Sequence, residues 1–283
     1  LEWSNLTDEL LAQGLRKGTS VTKNQEYGFS IGGPIRKDQI WFFGDIRWFD
    51  LAQSQPDFPA KDPTIDDRQG FIKVTAQLSS RTKIQGSYTQ RDFRLDPGNA
   101  SFATNNNPEN WNVSIRPWRI GFLGVTQVIS DRTYLEGRYS INTARFDTEW
   151  ASTESGFIDL TTGIQSGGRT GPSGPYQHRD TRDIRGSLTH FRERWLGGSH
   201  NIRFGYENVH VPFQWSREVP GDLVHLLQNG RAFRVRLYNT PIRKQANTVS
   251  RHAAFIQDEW TIKARYTLNV GVRVESTEGW FPE

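Results

Sequence analysis

Five times along this chain, two stretches of alternating apolar and polar residues meet at a short polar turn. The pairs are 26–33 with 40–49, 68–78 with 82–93, 119–128 with 133–146, 183–193 with 200–211, and 254–260 with 266–275. Alternation with a period of two is the pattern of a β-strand with one apolar and one polar face. The short turns, 34–38, 79–81, 129–132, 195–199 and 261–265, alternate strictly with long polar connections at 50–67, 92–117, 147–182 and 212–247. A soluble β-sandwich spreads long and short connections over both of its ends. Segregation of the short turns to one end, with aromatic residues at the strand ends, predicts a different all-β fold. It is an antiparallel transmembrane β-barrel segment of about ten strands, with short periplasmic turns and long extracellular loops. The expected location is the bacterial cell outer membrane.

Composition agrees once that fold is considered. Only 35% of residues are hydrophobic and the mean hydropathy is −0.68, values of a soluble chain. In a barrel only alternate strand residues face lipid, while lumen and loops stay polar. No apolar run approaches the roughly 20 residues of a membrane helix. The net charge of +4 is scattered along strands and loops, which suits a polar lumen and anionic lipid or lipopolysaccharide and argues against nucleic acid. The chain has neither Cys nor Met, and its first residues lack the basic-apolar-small order of a signal peptide, so it reads as a processed or partial product.

The whole span, 1–283, reads as one partial barrel domain, with 1–24 as a loop. Within that loop Ser4-Asn5 is suited to cap a short helix through Asp8 to Leu11 that ends near Gly14. Residues 231–238 alternate inside the last long connection and predict a strand above the membrane. Side-chain parity assigns faces. Ile72, Val74, Ala76 and Leu78 share a lipid face, opposite Phe71, Lys73, Thr75 and Gln77. Leu268, Val270, Val272 and Val274 do so opposite Asn269, Gly271, Arg273 and Glu275. Trp41, Tyr134, Trp195, Trp260 and Tyr266 lie next to short turns and suggest a periplasmic membrane girdle, with Trp48, Trp118 and Trp150 at the opposite interface.

Two hairpins resemble a known family. Tyr27 to Gly44, with Gly32-Gly33-Pro34-Ile35 and Trp41-Phe42-Phe43-Gly44, resembles a hairpin of Oar-like TonB-dependent outer-membrane receptors. So does Phe255-Ile256-Gln257-Asp258-Glu259-Trp260 followed by Leu268 to Glu275. The resemblance implies the barrel portion of a receptor and transporter of about 22 strands, importing a bulky ligand in a TonB-dependent manner. It implies no covalent chemistry and no cofactor. The TonB complex would be engaged through an N-terminal region and plug that are not recognisable in this chain. The edges of these ten strands are therefore expected to meet further strands.

Because ligand capture by such loops uses aromatic stacking and charged contacts, Trp111, Trp150, Tyr176, Trp215 and Arg234 are the candidate ligand-binding residues. His178 with Asp180 and Asp183 supports an alternative, an omptin-like outer-membrane protease. A structural or adhesive barrel is a third reading. Asp57, Asp62, Asp66 and Asp67 lack the spacing of a calcium loop, so no metal site is expected.

Overall fold

The computed structural model describes residues 3–4, 6–54, 61–99, 107–263 and 265–280. In chain order the strands are β1 (Trp3–Ser4), β2 (Ser20–Arg36), β3 (Ile40–Gln53), β4 (Thr64–Ser79), β5 (Thr82–Asp96), β6 (Asn112–Ser130), β7 (Thr133–Trp150), β8 (Gly156–Asp159), β9 (Gln165–Gly167), β10 (Tyr176–Trp195), β11 (Gly198–Arg217), β12 (Leu223–Gln228), β13 (Arg231–Leu237), β14 (Ile242–Ile262) and β15 (Tyr266–Trp280). Ten of them are long and antiparallel, and form one meandering sheet in the order β2-β3-β4-β5-β6-β7-β10-β11-β14-β15, with the two-residue β1 beside β2. The sheet is open: β15 pairs with β14 only. A second, four-stranded sheet, β13-β12-β8-β9, is built from the two longest connections.

The turns follow their local chemistry. β10 and β11 are joined by Leu196 and Gly197 at φ 47° and 79°, the two positive values of a type I′ hairpin. Register shifts beside the turns, at Pro34/Arg36, Gln77/Ser79, Val128/Ser130 and Arg192/Trp195, absorb the extra residues. Pro34 itself lies within β2, opposite Trp41, so the first turn is shorter than 34–38.

The strands run 14 to 21 residues, well beyond the predicted segments and beyond the roughly 9–11 that cross a membrane. Each extends on the long-loop side. There the apolar face gives way to residues such as Asp66 and Arg68, or Arg179 to Arg182, while the backbone ladder continues. Alternation marks only the part in lipid, so the polar extensions read as loop. The N-terminal segment departs from expectation in the same way, because β2 already starts at Ser20. The short helix α1 (Asp8–Ala12) is capped by Thr7, whose Oγ1 accepts the Leu10 N–H at 3.3 Å; Ser4 is instead paired with Ser20, and Asn5 lies outside the described residues.

The large sheet has no second layer. Among the described residues the one buried hydrophobic cluster is Val219, Val224 and Leu226, packed with Ile158 and Tyr238 in the small loop sheet. A soluble sheet must cover its apolar face with another layer. Here that face lies open along the whole sheet, which excludes the sandwich.

The loop sheet is pinned by one carboxylate. Asp159 accepts N–H bonds from Thr161 (2.8 Å) and Thr162 (3.4 Å), and from Gly230 (2.5 Å) at the β12–β13 turn. The Gly230 bond foremost, then the Thr161 bond, holds this carboxyl below the ordinary aspartate value of 3.8. A depressed folded value makes the stabilisation full above the unfolded value and lost as pH falls through the folded one. The Gly230 amide should therefore lose hydrogen-exchange protection, corrected for intrinsic rates, as pH drops below about 4. Asp159→Asn should flatten that dependence; an unchanged profile in the variant would refute the assignment.

Candidate functional site

Cross-strand register turns parity into surfaces. Leu135, Leu188, Phe204, Ile256 and Val272 are successive partners across β7, β10, β11, β14 and β15. They form one apolar row, and Val272 stands 62% exposed. Three residues along each strand, on the opposite face, lies a polar row, where Arg138 pairs with Arg185 and Arg185 with Glu207. Ion pairs run along it, Arg273–Glu207 at 2.9 Å, Arg185–Asp183 at 2.8 Å and Arg203–Glu136 at 3.2 Å, while Arg138 stands over the Phe122 ring at 5.0 Å. Glu136, Arg185, Arg203 and Glu207 line a cavity of about 440 Å³ with Phe122 and Phe255. The polar face is thus a wall of charged and polar side chains, many of them ion-paired.

At the short-turn end, His200 is buried between Trp195 and Trp260, with ring centroids 4.8 and 5.3 Å away. Its Nδ1 lies 2.6 Å from Asp258 Oδ2 and its Nε2 lies 2.9 Å from the Trp195 carbonyl. Trp260 and Tyr266 share the parity of Ile256 and Leu268 and so fall on the apolar face. Trp41 does not. It is the partner of Thr75, two residues from the Phe43–Lys73 pair, and so lies on the polar face; sequence nearness to a turn does not reveal face. Tyr134, partner of Thr189, is on the polar face as well. Trp118 shares that face with Arg91, and its Nε1–H donates to Asn142.

The candidate ligand residues separate. Trp111 is buried, and its carbonyl accepts the Ala151 N–H at 2.9 Å. Trp150 packs under Arg169, whose guanidinium stands 4.7 Å from the ring and donates to the carbonyls of Ser173 (2.7 Å) and Glu218 (3.0 Å). Burial holds the Arg169 pKa below its ordinary value, opposed by Glu218. This pair clamps the long connection between β7 and β10. Tyr176 and Trp215 do come together, in a cleft of about 520 Å³ that also takes in Phe146, Arg179 and Phe213. Arg234 lies apart on β13, stacked on Phe233 at 4.5 Å.

The structure adds a band at the same height that sequence reasoning missed. Arg91 stands over Phe93 (5.4 Å), and Arg116 over Phe93 (5.4 Å) and Phe146 (5.8 Å). Arg179 stands over Phe146 (5.9 Å) and Phe213 (5.4 Å). Cation and ring alternate across five neighbouring strands, β5, β6, β7, β10 and β11. A second cleft of about 330 Å³ follows this band, lined by Phe93, Arg116, Trp118, Phe146 and Arg179. An Arg or Phe at the loop-proximal end of each strand was the available signal, and only register aligns them.

The proposed His178 cluster is rearranged. His178 Nε2 meets Asp147 Oδ1 at 3.0 Å, while Asp183 is taken up by Arg185. Among the acidic residues near the first long connection, Asp62 pairs with Lys17, Asp66 with Arg68 and Asp67 with Arg91; Asp57 lies outside the described residues.

Comparison with known proteins fits these surfaces. No curated protein matches the chain. The outer membrane transporter YddB from Escherichia coli shares the fold with a TM-score of 0.68 at 11% identity, over 92% of this chain and 34% of that one. P. aeruginosa FpvA, solved in an iron complex with a heterologous pyoverdine, does so at 0.61 and 12%, over 94% and 38%. The siderophore receptor PirA from Acinetobacter baumannii gives 0.53 and 10%, over 92% and 36%. The chain thus spans little more than a third of each of these structures. The family described as outer membrane beta barrel domain matches residues 57–282. With an open apolar face, a polar wall and a match over most of its length, this chain of the bacterial outer membrane belongs to the outer membrane β-barrel domain family.

Proposed function

We propose that the chain is part of the barrel wall of an outer-membrane receptor that imports a bulky ligand in a TonB-dependent manner. The observation that carries this reading is the polar face, laced with ion pairs at membrane depth and topped by two clefts lined with aromatic rings and arginines. A purely structural or adhesive barrel has no need of such clefts facing inward. The Oar-like resemblance of the β2–β3 and β14–β15 hairpins supports the same reading, as does the fold shared with proteins described as a transporter and a siderophore receptor. The TonB complex would act through parts of the parent protein beyond this wall. The role needs no covalent chemistry; of the protease cluster, Asp183 is engaged by Arg185 and His178 meets Asp147.

The test is depletion of solutes from the medium, followed by mass spectrometry, in cells producing the full-length parent protein. At least one solute too large for porins should disappear only when both the parent and TonB are present. Depletion that is indifferent to TonB would remove the import reading. Peptide cleavage abolished by His178→Ala would replace it with the protease.

A further inference from the structure

In the arginine–aromatic band, as at Arg138 over Phe122 in the wall beneath it, some guanidiniums rest on rings and not on carboxylates. In the lower wall Arg185, Arg203 and Arg273 each have a carboxylate within 3.2 Å. In the band Arg91 is likewise held by Asp67, with both carboxylate oxygens accepting, at 2.8 and 2.7 Å. Arg116 and Arg179 have no carboxylate within ion-pair distance among the described residues. Each is instead flanked by two phenyl rings. Rings hold a guanidinium by its face through the quadrupole attraction. They leave the N–H edge to acceptors, and it is this edge that binds carboxylate or phosphate bidentately; at Arg179 the neutral side-chain oxygen of Gln177 accepts from Nε and Nη2 at 2.9 and 2.5 Å. The Arg116 Nε–H donates to Ser114 Oγ at 3.0 Å, which further fixes its plane.

The two guanidiniums share Phe146, each within 6 Å of its centroid, and both side chains are exposed. Arg179 and Phe146 line both clefts, so the clefts form one continuous track. The geometry points to an anionic ligand with at least two oxoanion groups, carboxylate or phosphate, bound across Arg116 and Arg179 with its flat or apolar part against Phe93, Phe146 and Phe213. Arg116 and Arg179 are two cations without counter-charge that share one ring and line one track. They suit a partner that brings the negative charge. The inference rests on the import reading only in taking this face as the ligand's path.

The experiment titrates the purified full-length receptor in detergent with benzene-1,3,5-tricarboxylate and, separately, inorganic tripolyphosphate, followed by Trp fluorescence because Trp118 and Trp215 line the track. The uncharged benzene-1,3,5-tricarboxamide is the control. Saturable binding of either anion is expected, and which one binds tells carboxylate from phosphate. Arg116→Gln and Arg179→Gln should each weaken it tenfold or more, whereas Arg192→Gln at the periplasmic end should not change it. Should a variant fail to fold, the bound anion must still protect Arg116 and Arg179 of the unaltered receptor from phenylglyoxal. Absence of binding by both anions, equal binding of the triamide, or unprotected arginines would overturn the assignment. None of these readouts involves TonB. A failed uptake test with intact anion binding would overturn import alone, and the reverse result would overturn the anion site alone.

Discussion

Ile256→Arg should destabilise the parent barrel in lipid vesicles by about 2–4 kcal/mol, whereas Gln257→Arg, one residue along β14, should cost well under half of that. Ile256 sits in the apolar row between Phe204 and Val272, paired on both sides. A guanidinium there meets hydrocarbon, and lipid has no water to receive it. Gln257 is the partner of Arg203 and Gly271 on the polar face, where a further cation meets the nearby Glu259 and water. Denaturant titration of the refolded full-length protein measures both. Equal losses would mean that the two faces are assigned the wrong way round or that the strand does not cross the membrane.

Cysteines placed in the long loops of intact cells should react with a bulky, membrane-impermeant thiol reagent, and cysteines in the short turns should not. The chain contains no cysteine, so each substitution reports alone. Thr153→Cys and Arg236→Cys lie exposed on the loop side; Ser80→Cys and Asp131→Cys lie exposed at the turns of β4–β5 and β6–β7. The expected contrast is all or none, because the outer membrane stands between the two sets. Opening the cells should make the turn positions reactive. Labelling of Ser80→Cys in intact cells, with none at Arg236→Cys, would invert the topology.

Both expectations depend on features that were local enough to read from the chain. A strand in lipid must show one apolar and one polar face, so Ile72-Val74-Ala76-Leu78 and Leu268-Val270-Val272-Val274 carry their orientation in their spacing. Turn chemistry is local too, as with Leu196-Gly197 between β10 and β11. The ten long strands, their order along the chain and the β13 strand inside the last loop follow from those two signals. The strand ends do not, because above the membrane the ladder holds without any demand on side chains. Thr64 to Asp67 and Tyr176 to Arg182 therefore look like loop and are strand.

The candidate site marks the other boundary. Aromatics in long connections led to Tyr176 and Trp215, which share a cleft, and to Trp111 and Trp150, which are held by the loop that carries them. Trp41 and Trp118 fell on the polar face because one step of register decides a face and nearness to a turn does not. Alternation determined that this chain is a membrane wall with a dry side and a wet side. Which residues meet on the wet side was decided only by pairing between strands. Phe93, Arg116, Phe146, Arg179 and Phe213 come from five separate strands, and hydrogen-bond register alone brings their side chains to one height. A period-two pattern is set by each strand's own surroundings, whereas a row across strands depends on every turn and bulge between them, and no single stretch of sequence contains it.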